Sequence, residues 1–338
     1  MKSRAKPATL MSRLVPDDIR GEVAVVTGAS RGLGLLLARE LAGHGCPLVI
    51  CARDGAELER AASDLRASGA DVTTVACDVT EEAAPRLLVD TAVDRYGRLD
   101  ILVSNAGIIQ VGPVQAAQAS HYQTALDTMA LAPARLALTA LPVMRRQEHG
   151  RIITIASIGG KVSVPHLLPY CTAKFAAVGF SEGLRAELGR GPVTVTTVVP
   201  GLMRTGSHLQ ARFTGQAEKE YTWFALGASL PLVSMDAERA ARQIIAAVRQ
   251  RRAEIILTPA GQLASRAAGL APGLTSGLLH LVQRLALPAQ GVQGRTAATG
   301  EGDGGTPGQD LNPALPGTTF DRLTALGRAA ASRFNERR

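Results

Sequence analysis

The stretch VAVVTGASRGLG, residues 23–34, decides the fold. Residues 23–27 are apolar and mostly β-branched, which is typical of a strand buried on both faces. Residues 33–41 then have the composition of a helix. The glycines between them allow the backbone to turn sharply and to approach another group closely. A strand, a glycine-rich turn and a helix in this order predict the first β-α unit of a parallel sheet.

The same alternation continues along the chain. Six further apolar runs of strand length follow, at residues 47–51, 72–76, 101–104, 151–156, 193–199 and 254–257. A helix-length segment separates each run from the next, for example residues 56–66. The sequence therefore predicts an α/β fold: a doubly wound, Rossmann-like parallel sheet of about seven strands flanked by helices, with a C-terminal helical extension.

Composition narrows the class of protein. Of 338 residues, 46% are hydrophobic, which is enough for a sizeable core, and only 3% are aromatic. The net charge of +8 would suit an anionic partner, but the basic residues are scattered. Without a long basic run or zinc-finger spacing, we expect no nucleic-acid partner and no metal site. The four cysteines lack CxxC spacing and the N-terminus lacks an apolar signal core, which indicates a reduced, cytoplasmic protein.

The glycine turn has the spacing G-x-x-x-G-x-G rather than the dinucleotide fingerprint G-x-G-x-x-G. Between a strand and a helix, such a turn brings backbone N–H groups and the positive end of the helix dipole towards a diphosphate. A purely structural βα connection is the alternative, and the position after the first strand favours cofactor binding. The candidate cofactor-binding residues of this turn are Gly28, Ser30, Arg31, Gly32, Leu33 and Gly34.

The end of the second strand indicates which nicotinamide cofactor is preferred. An NAD enzyme usually carries a carboxylate there for the ribose hydroxyls, whereas this chain has Ala52 followed by Arg53. Together with Arg31, Arg53 could bind a 2′-phosphate through charge-assisted hydrogen bonds. The alternative is that both arginines are solvated surface cations. The acidic residue Asp54, next to Arg53, also weakens the case for a phosphate site. On balance the sequence predicts NADP(H) in preference to NAD(H).

The candidate catalytic residues are Ser157, Tyr170 and Lys174. Tyr170 and Lys174 are four residues apart in a helical pattern, so both side chains lie on one helix face. A phenol near pKa ~10 is too weak an acid for work at neutral pH, and an adjacent ammonium favours its ionised form. Ser157, at the end of the fifth strand, can donate to a substrate oxygen. Alone the tyrosine-lysine spacing is a weak signal; with Ser157 and the glycine turn it is strong.

These motifs together resemble the short-chain dehydrogenase/reductase family over residues 20–258. Further segments are similar to the family's sequence: Asp78-Val79, Ser104-Asn105-Ala106-Gly107 and Pro200-Gly201 followed by Thr205. The resemblance implies that Asp78 and Val79 border the adenine and that Thr205 holds the nicotinamide carboxamide. Lys174 would also bind the nicotinamide ribose. The cofactor-binding residues that the resemblance adds are Asp78, Val79, Asn105, Ala106, Gly107, Tyr170, Lys174, Pro200, Gly201 and Thr205.

The family mechanism implied here is hydride transfer between nicotinamide C4 and a carbonyl carbon, with Tyr170 as acid or base and Ser157 stabilising the oxygen. One position departs from the family. The asparagine expected 28 residues before Ser157 is Met129, and a thioether is at best a weak hydrogen-bond acceptor. Two hypotheses follow: a carbonyl reductase or alcohol dehydrogenase, or a catalytically idle NADP-binding sensor or scaffold. Retention of Ser157 favours the enzyme.

The substrate is expected to be a lipophilic small molecule, since residues 202–235, where the family has its substrate lid, contain much of the chain's aromatic content. Packing of the lid onto the body explains the same aromatic residues equally well. His166 and His208 are single histidines without partner spacing, which are more often structural. The resemblance also implies a homo-oligomer.

By composition the chain divides into an N-terminal segment 1–19, a dinucleotide-binding and catalytic domain 20–258, an apolar helical extension 259–287, a flexible linker 288–317 and a terminal helix 318–338. The apolar extension could cap the sheet, form a subunit contact or lie on a membrane surface. Pro272 and several glycines interrupt it, which favours packing or an oligomer contact over the membrane.

Overall fold

The computed structural model describes residues 16–231, 234–288, 305–315 and 317–336. Its centre is a sheet of seven strands, all paired in parallel. The strands are β1 Ala24–Thr27, β2 Leu48–Ala52, β3 Val72–Ala76, β4 Ile101–Ser104, β5 Gly150–Ile155, β6 Val193–Val199 and β7 Glu254–Ile256. Their order is β7-β6-β5-β4-β1-β2-β3. The predicted Rossmann-like sheet is confirmed, and no predicted strand end is wrong by more than one residue.

Helices connect the strands and cover both faces of the sheet. They are α1 Gly32–Gly43, α2 Gly55–Ala67, α3 Ala84–Tyr96, α4 Ala119–Leu126, α5 Ala132–Arg146, α6 Leu168–Leu188, α7 Ala217–Ser229 and α8 Ala237–Arg249. On one face, α1 and α8 pack on the sheet through residues such as Leu37 and Ile244. On the other, α3 and α5 bury Leu88 and Leu136. The apolar strands are therefore covered on both sides, as parallel sheets require.

The chain order of the strands reverses between β1 and β4. In such sheets a crevice opens at this point, outside the carboxyl ends of the strands. Between α4 and α5 the residues Asp127–Leu131 form a π-helical turn, which the sequence did not predict. Turns of this kind are rare and occur frequently at functional sites.

The predicted apolar extension forms two helices, α9 Pro259–Leu270 and α10 Pro272–Ala286, which pack against each other. Of the segment predicted as a linker, residues 289–304 and 316 lie outside the described residues. Residues 305–315 are packed on the lid, where Thr306–Pro307 pairs with the short strand Arg212–Phe213. At the other end of the chain, the described part of the N-terminal segment begins at residue 16, and Asp17 accepts a hydrogen bond from Arg151 at 2.9 Å.

The C-terminal segment forms two short helices rather than one continuous helix. They are α11 Gly317–Leu323 and α12 Ala325–Arg333. Thr324 separates them; its side chain is buried and its hydroxyl donates to the Phe320 carbonyl oxygen at 2.8 Å. Beyond α12, the ring of Phe334 is buried in the core cluster that contains the α1 and α8 side chains. The chain end is thereby held against α1, next to the glycine turn.

Candidate active site

The residues singled out in the sequence meet at the carboxyl edge of the sheet. Gly28 follows β1, Asn105 follows β4, Ser157 lies two residues beyond β5, and Pro200 follows β6. These strands are neighbours in the sheet, in the order β6-β5-β4-β1. The four positions therefore line one crevice, which is where ligands bind in open α/β sheets.

The glycine turn is tightly packed against the end of β4. Gly28 has a φ of +64°, and a Cβ added there would lie 2.8 Å from the Ala106 Cα atom. A Cβ at Gly34 would lie 2.1 Å from the Gly28 carbonyl oxygen. The Asn105 side chain donates to the carbonyl oxygens of Thr27 at 2.9 Å and Gly28 at 3.2 Å. Packing within the protein thus already requires glycine at two of the three motif positions.

Gly32 differs, because its free side faces the groove. Its φ is +54°, and a Cβ added there would lie 2.6 Å from the Glu336 Oε1 atom. Its N–H, at the first position of α1, donates to the Phe334 carbonyl oxygen at 2.9 Å. The next residue, Asn335, donates from its side chain to the Ser30 carbonyl oxygen at 2.9 Å. Residues 334–336 therefore lie directly on the glycine turn.

The Glu336 carboxyl group is buried at the start of α1. The residue is only 4% exposed, and its Oε2 atom lies 3.8 Å from Arg31 Nε. Burial raises the pKa of Glu336 to about 8; Arg31 opposes this rise, and the nearby Glu57 carboxylate adds to it. Arg31 in turn lies 3.4 Å from Glu57. A carboxyl group of the protein itself thus occupies the start of α1, and its raised pKa keeps it mostly protonated at neutral pH.

The opposite rim of the crevice carries Arg53 and Asp78. The Arg53 guanidinium is 71% exposed and lies 3.8 Å from the Asp78 carboxylate. Asp78 Oδ1 accepts hydrogen bonds from the backbone N–H and the hydroxyl of Thr80, at 2.9 and 2.7 Å. Val79 is buried beside them. Arg53 is therefore available at the rim, whereas Arg31 lies between two carboxylates.

Ser157, Tyr170 and Lys174 form one cluster at the end of β5. The Tyr170 hydroxyl is hydrogen-bonded to the Ser157 side chain, and Ser157 Oγ also accepts from the Gly159 N–H at 3.1 Å. Tyr170 and Lys174 lie in the first two turns of α6. Lys174 Nζ is 5.8 Å from the centre of the Tyr170 ring and donates to the Ile155 carbonyl oxygen at 2.7 Å. The spacing thus brings the three side chains together.

The protonation of this cluster differs from the simple expectation that the ammonium lowers the pKa of Tyr170. In the protein alone, burial raises the pKa of Tyr170 to about 12, although the hydrogen bond from Ser157 opposes this rise. Burial also lowers the pKa of Lys174 to about 8. Because Lys174 points to the Ile155 carbonyl oxygen rather than to the phenol oxygen, desolvation outweighs its charge.

The loop after β6 borders the crevice beside Ser157. The Pro200 carbonyl oxygen accepts from the Ile158 N–H at 2.7 Å, which joins this loop to the Ser157 segment. Thr205 is buried, and its hydroxyl oxygen accepts from the Ser207 N–H at 3.2 Å. Its Cβ atom lies 3.9 Å from the position of a Cβ on Gly32. Thr205 and the glycine turn therefore border the same groove.

Comparison with known proteins places this arrangement in a family. The model for short chain dehydrogenase matches residues 22–214. The chain belongs to the short-chain dehydrogenase family. It is 36% identical over 231 residues to a protein named ketoacyl reductase 1 of the granaticin polyketide synthase of Streptomyces violaceoruber, covering 67% of this chain and 85% of that one. It is 30% identical to dehydrogenase/reductase SDR family member 7B of Bos taurus, over 76% and 79% of the two chains.

Solved structures of this family are also similar. A short-chain dehydrogenase/reductase from Burkholderia phymatum in complex with NAD has a TM-score of 0.70 and 27% identity, over 76% of this chain and 96% of that one. A variant of actinorhodin polyketide ketoreductase with NADPH has a TM-score of 0.60 and 30% identity, over 72% and 97%. The relatives therefore include structures with each of the two nicotinamide cofactors.

Met129, where the short-chain dehydrogenase family is expected to have asparagine, lies in the π-helical turn. The residue is 2% exposed and packs with Ala125 and Ala173 beside Tyr170. A Cβ on Gly107 would lie 3.4 Å from its sulfur atom. Met129 therefore fills space behind the tyrosine with apolar atoms, and it supplies no strong hydrogen-bonding group there.

The aromatic residues of the lid mostly pack within it. Phe213, Tyr221 and Phe224 are buried, and the Phe213 ring contacts each of the other two edge-on. The lid helix α7 is fastened by Glu220, which is buried, accepts from Trp223 Nε1 at 2.6 Å and lies 2.8 Å from His166 Nδ1. For these residues the packing interpretation holds, and His166 has a structural partner.

Sequence reasoning missed three carboxylates of this short-chain dehydrogenase. Glu57 follows Asp54 at the spacing of a helix cap, and Asp54 does cap α2, but the Glu57 side chain is turned to Arg31. No sequence pattern pointed to Glu220 or Glu336, because the residues that they contact are distant in sequence.

No group of three or more histidine, cysteine or acidic residues is arranged for a metal ion among the described residues. Within the same ranges, no helix has both the length and the apolar character to cross a membrane.

Proposed function

We propose that this short-chain dehydrogenase is an NADP(H)-dependent oxidoreductase that interconverts a carbonyl compound and an alcohol, with Tyr170 as the acid/base. The observation that carries the proposal is the Ser157–Tyr170–Lys174 cluster at the carboxyl end of β5, beside the crevice that the glycine turn borders. A serine bonded to a tyrosine, with a lysine one helical turn further on, suits proton exchange with a substrate oxygen.

The crevice fits a dinucleotide in its chemistry. At the start of α1, a buried carboxyl group already lies against Gly32 and near Arg31, so the position has room for an oxygen-rich group beside a helix N-terminus and a cation. The Gly32 N–H would bind a diphosphate there, and Thr205 and Lys174 would bind the nicotinamide end. When bound, the cofactor would supply or accept the hydride of the reaction.

The residues at the reacting oxygen have distinct roles in this proposal. With a pKa of about 12, Tyr170 holds its proton at neutral pH and can donate it to a carbonyl oxygen during reduction. Ser157 donates to the same oxygen and stabilises the charge that develops on it. In the oxidation direction Tyr170 must lose its proton, which requires a nearby positive charge to lower its pKa. The Lys174 ammonium, 5.8 Å from the centre of the Tyr170 ring, is placed to do so.

NADP(H) is proposed over NAD(H) because Ala52 replaces the carboxylate that would bind the ribose hydroxyls and because Arg53 is exposed at the rim. Since Glu57 and Glu336 flank Arg31, Arg53 is the main candidate for the 2′-phosphate. The NADPH-bound relatives include the actinorhodin polyketide ketoreductase and an L-sorbose reductase from Gluconobacter frateurii.

A lipophilic substrate is proposed from the surroundings of Tyr170. Partly buried apolar side chains lie in one cluster with it, namely Ile109, Val164, Leu202 and Trp223. The names of the relatives support a keto group as the target, since three of them, from Streptomyces species, are named as ketoacyl reductases. Met129 favours the second candidate, a catalytically idle NADP(H)-binding sensor or scaffold.

The test is turnover of NADPH with a panel of aldehydes, ketones and steroids, followed by nicotinamide absorbance. We expect Tyr170→Phe to lower kcat by about 10²–10⁴-fold, because it removes the proton donor. NADPH binding, measured by fluorescence titration, should stay within about threefold of wild type. Tyr96→Phe is the control, because Tyr96 contacts Asp71 near the opposite edge of the sheet. Tight NADPH binding without any turnover in the wild type would favour the sensor; equal activity of Tyr170→Phe would refute the mechanism.

A further inference from the structure

A leucine-rich face on α9 and α10 points away from the protein. Its members are Leu263, Leu270, Leu274, Leu278, Leu281, Val282 and Leu285. Leu270 is 88% exposed and Leu274 79%. At about 100° per residue, the five α10 members fall within roughly 100° of the helix circumference. They form one continuous apolar stripe, which is the signature of a helix with a covered face.

The polar side of α10 faces the body of the protein. Thr275, Ser276, His280 and Gln283, with Leu279 among them, line a cavity of about 600 Å³ between α10 and the segment before α6. In a helix packed on a core, the apolar stripe would face inward and these residues would face water. The amphipathic pattern of α10 is therefore inverted relative to its own protein, and its apolar stripe requires an external partner. The leucine-rich face itself is not packed on the sheet within the described residues.

The charges beside the stripe indicate which partner fits. Residues 259–288 contain no aspartate or glutamate, whereas Arg266 and Arg284 are present and exposed. By the same angular count, each arginine lies at the edge of the apolar stripe of its helix. In a symmetric contact between two copies the same surface meets itself, so cationic groups would approach each other with no acidic partner from these helices. An anionic surface meets no such repulsion.

From this arrangement we infer that α9 and α10 dock on the surface of an anionic lipid bilayer, with the leucine-rich face in the acyl boundary and the two arginines at the headgroups. Helices of this kind lie in the plane of the interface, with the apolar face about 5–10 Å deep, and need no spanning segment. The docking surface is independent of the reaction proposed above.

The experiment is co-sedimentation of the full chain with phosphatidylcholine vesicles, with and without phosphatidylglycerol. We expect binding to the anionic vesicles that weakens at high salt. The double variant Leu278→Ser/Leu281→Ser should bind at least about tenfold more weakly, because two buried leucines are lost. Leu138→Ser is the control, since Leu138 is 61% exposed on α5. Absence of vesicle binding would refute the inference, as would equal loss in the control. So would a double variant that only dissociates an oligomer, seen by sedimentation velocity.

A second inference concerns the chain end and rests on the proposed function. Residues 334–336 occupy the groove where a diphosphate would lie: the Gly32 N–H is bonded to Phe334, and the Glu336 carboxyl contacts Gly32. Within the described residues, the buried Glu336 Oε2 atom accepts no hydrogen bond. The segment is held by contacts outside the groove as well, since the Glu336 carbonyl oxygen accepts from Gln210 Nε2 at 3.0 Å. Residues 334–336 and a diphosphate thus cannot occupy this groove at the same time.

We propose that this segment is an intramolecular plug, which must leave the glycine turn before the dinucleotide binds. The apparent dissociation constant of the cofactor is then the intrinsic one divided by the fraction of molecules with an open groove. The α12 helix need not move as a whole, because Arg333 is separately paired with Glu238. Only the last residues have to exchange with the cofactor.

The test compares NADPH binding by calorimetry in wild type, Glu336→Ala and a chain ending at Asn335. We expect both variants to bind about threefold to tenfold more tightly, because the plug is weakened. A chain lacking only residues 337 and 338 is the control. Unchanged or weaker binding in the variants would refute the plug and leave the proposed function standing. Binding by the variants alone would support the plug; binding by none of the proteins would overturn both proposals.

Discussion

The sheet domain and the C-terminal segment place their functional residues by different rules. In the sheet domain, Gly28, Asn105 and Ser157 each follow a strand, so the order of the strands alone brings them to one crevice. In residues 259–336, apolar residues at helical spacing predict helices, but the direction of each helix face depends on distant contacts. The comparison shows that a motif at a strand end can be placed in the fold from sequence alone. For an amphipathic helix, the sequence predicts the helix but not the direction in which its apolar face points.

The C-terminal segment contains both an exposed and a buried large apolar side chain. Leu278 on α10 is 62% exposed, whereas Phe334, just beyond α12, is 2% exposed and packs with the α1 and α8 side chains. Both are large apolar residues in helix-rich sequence. One faces solvent in the protein, and the other completes the core beside the glycine turn. The two residues therefore allow a direct test of the difference.

The largest expected effect is on stability. Phe334→Ala should lower the free energy of unfolding by about 3 kcal/mol or more, because it leaves a cavity in the core. Leu278→Ala should change it by less than about 0.5 kcal/mol, because the side chain is mostly in solvent. Urea unfolding followed by circular dichroism measures both. Similar losses of unfolding free energy in the two variants would contradict the difference in burial between Phe334 and Leu278.

The sequence predicted the sheet almost to the residue because strand burial on both faces leaves a continuous apolar run. Ser157, Tyr170 and Lys174 come together because a strand end and one helix face determine their positions. The carboxylates Glu57 and Glu336 could not be predicted, since their burial next to Arg31 results from tertiary contacts. The raised pKa of Tyr170 could not be predicted either, because it results from burial. The four-residue spacing between Tyr170 and Lys174 does not reveal that burial.

An intermediate effect is expected for cofactor choice, within the sheet domain. Arg53→Asp should shift the ratio of kcat/KM for NADPH over NADH by at least about tenfold towards NADH, because a cation at the 2′-phosphate becomes an anion beside the ribose. Arg190→Asp makes the same change of charge on an exposed residue beyond α6 and should leave the ratio unchanged. An unaltered preference in Arg53→Asp would assign the 2′-phosphate to another group.

The smallest expected effect is at Met129, where the sheet domain departs from its family. Because Met129 is buried between Gly107 and the α6 residue Ala173, an asparagine there would have few hydrogen-bond partners. We expect Met129→Asn to lower the free energy of unfolding by about 1–3 kcal/mol. Its kcat should stay within about threefold, since the groups that bind the substrate oxygen are unchanged. Met129→Leu, which nearly conserves volume, should cost less than about 1.5 kcal/mol. A tenfold rise of kcat in Met129→Asn would instead mean that proton transfer past this position limits the wild type, and the apolar contact would then be a cause of slow turnover.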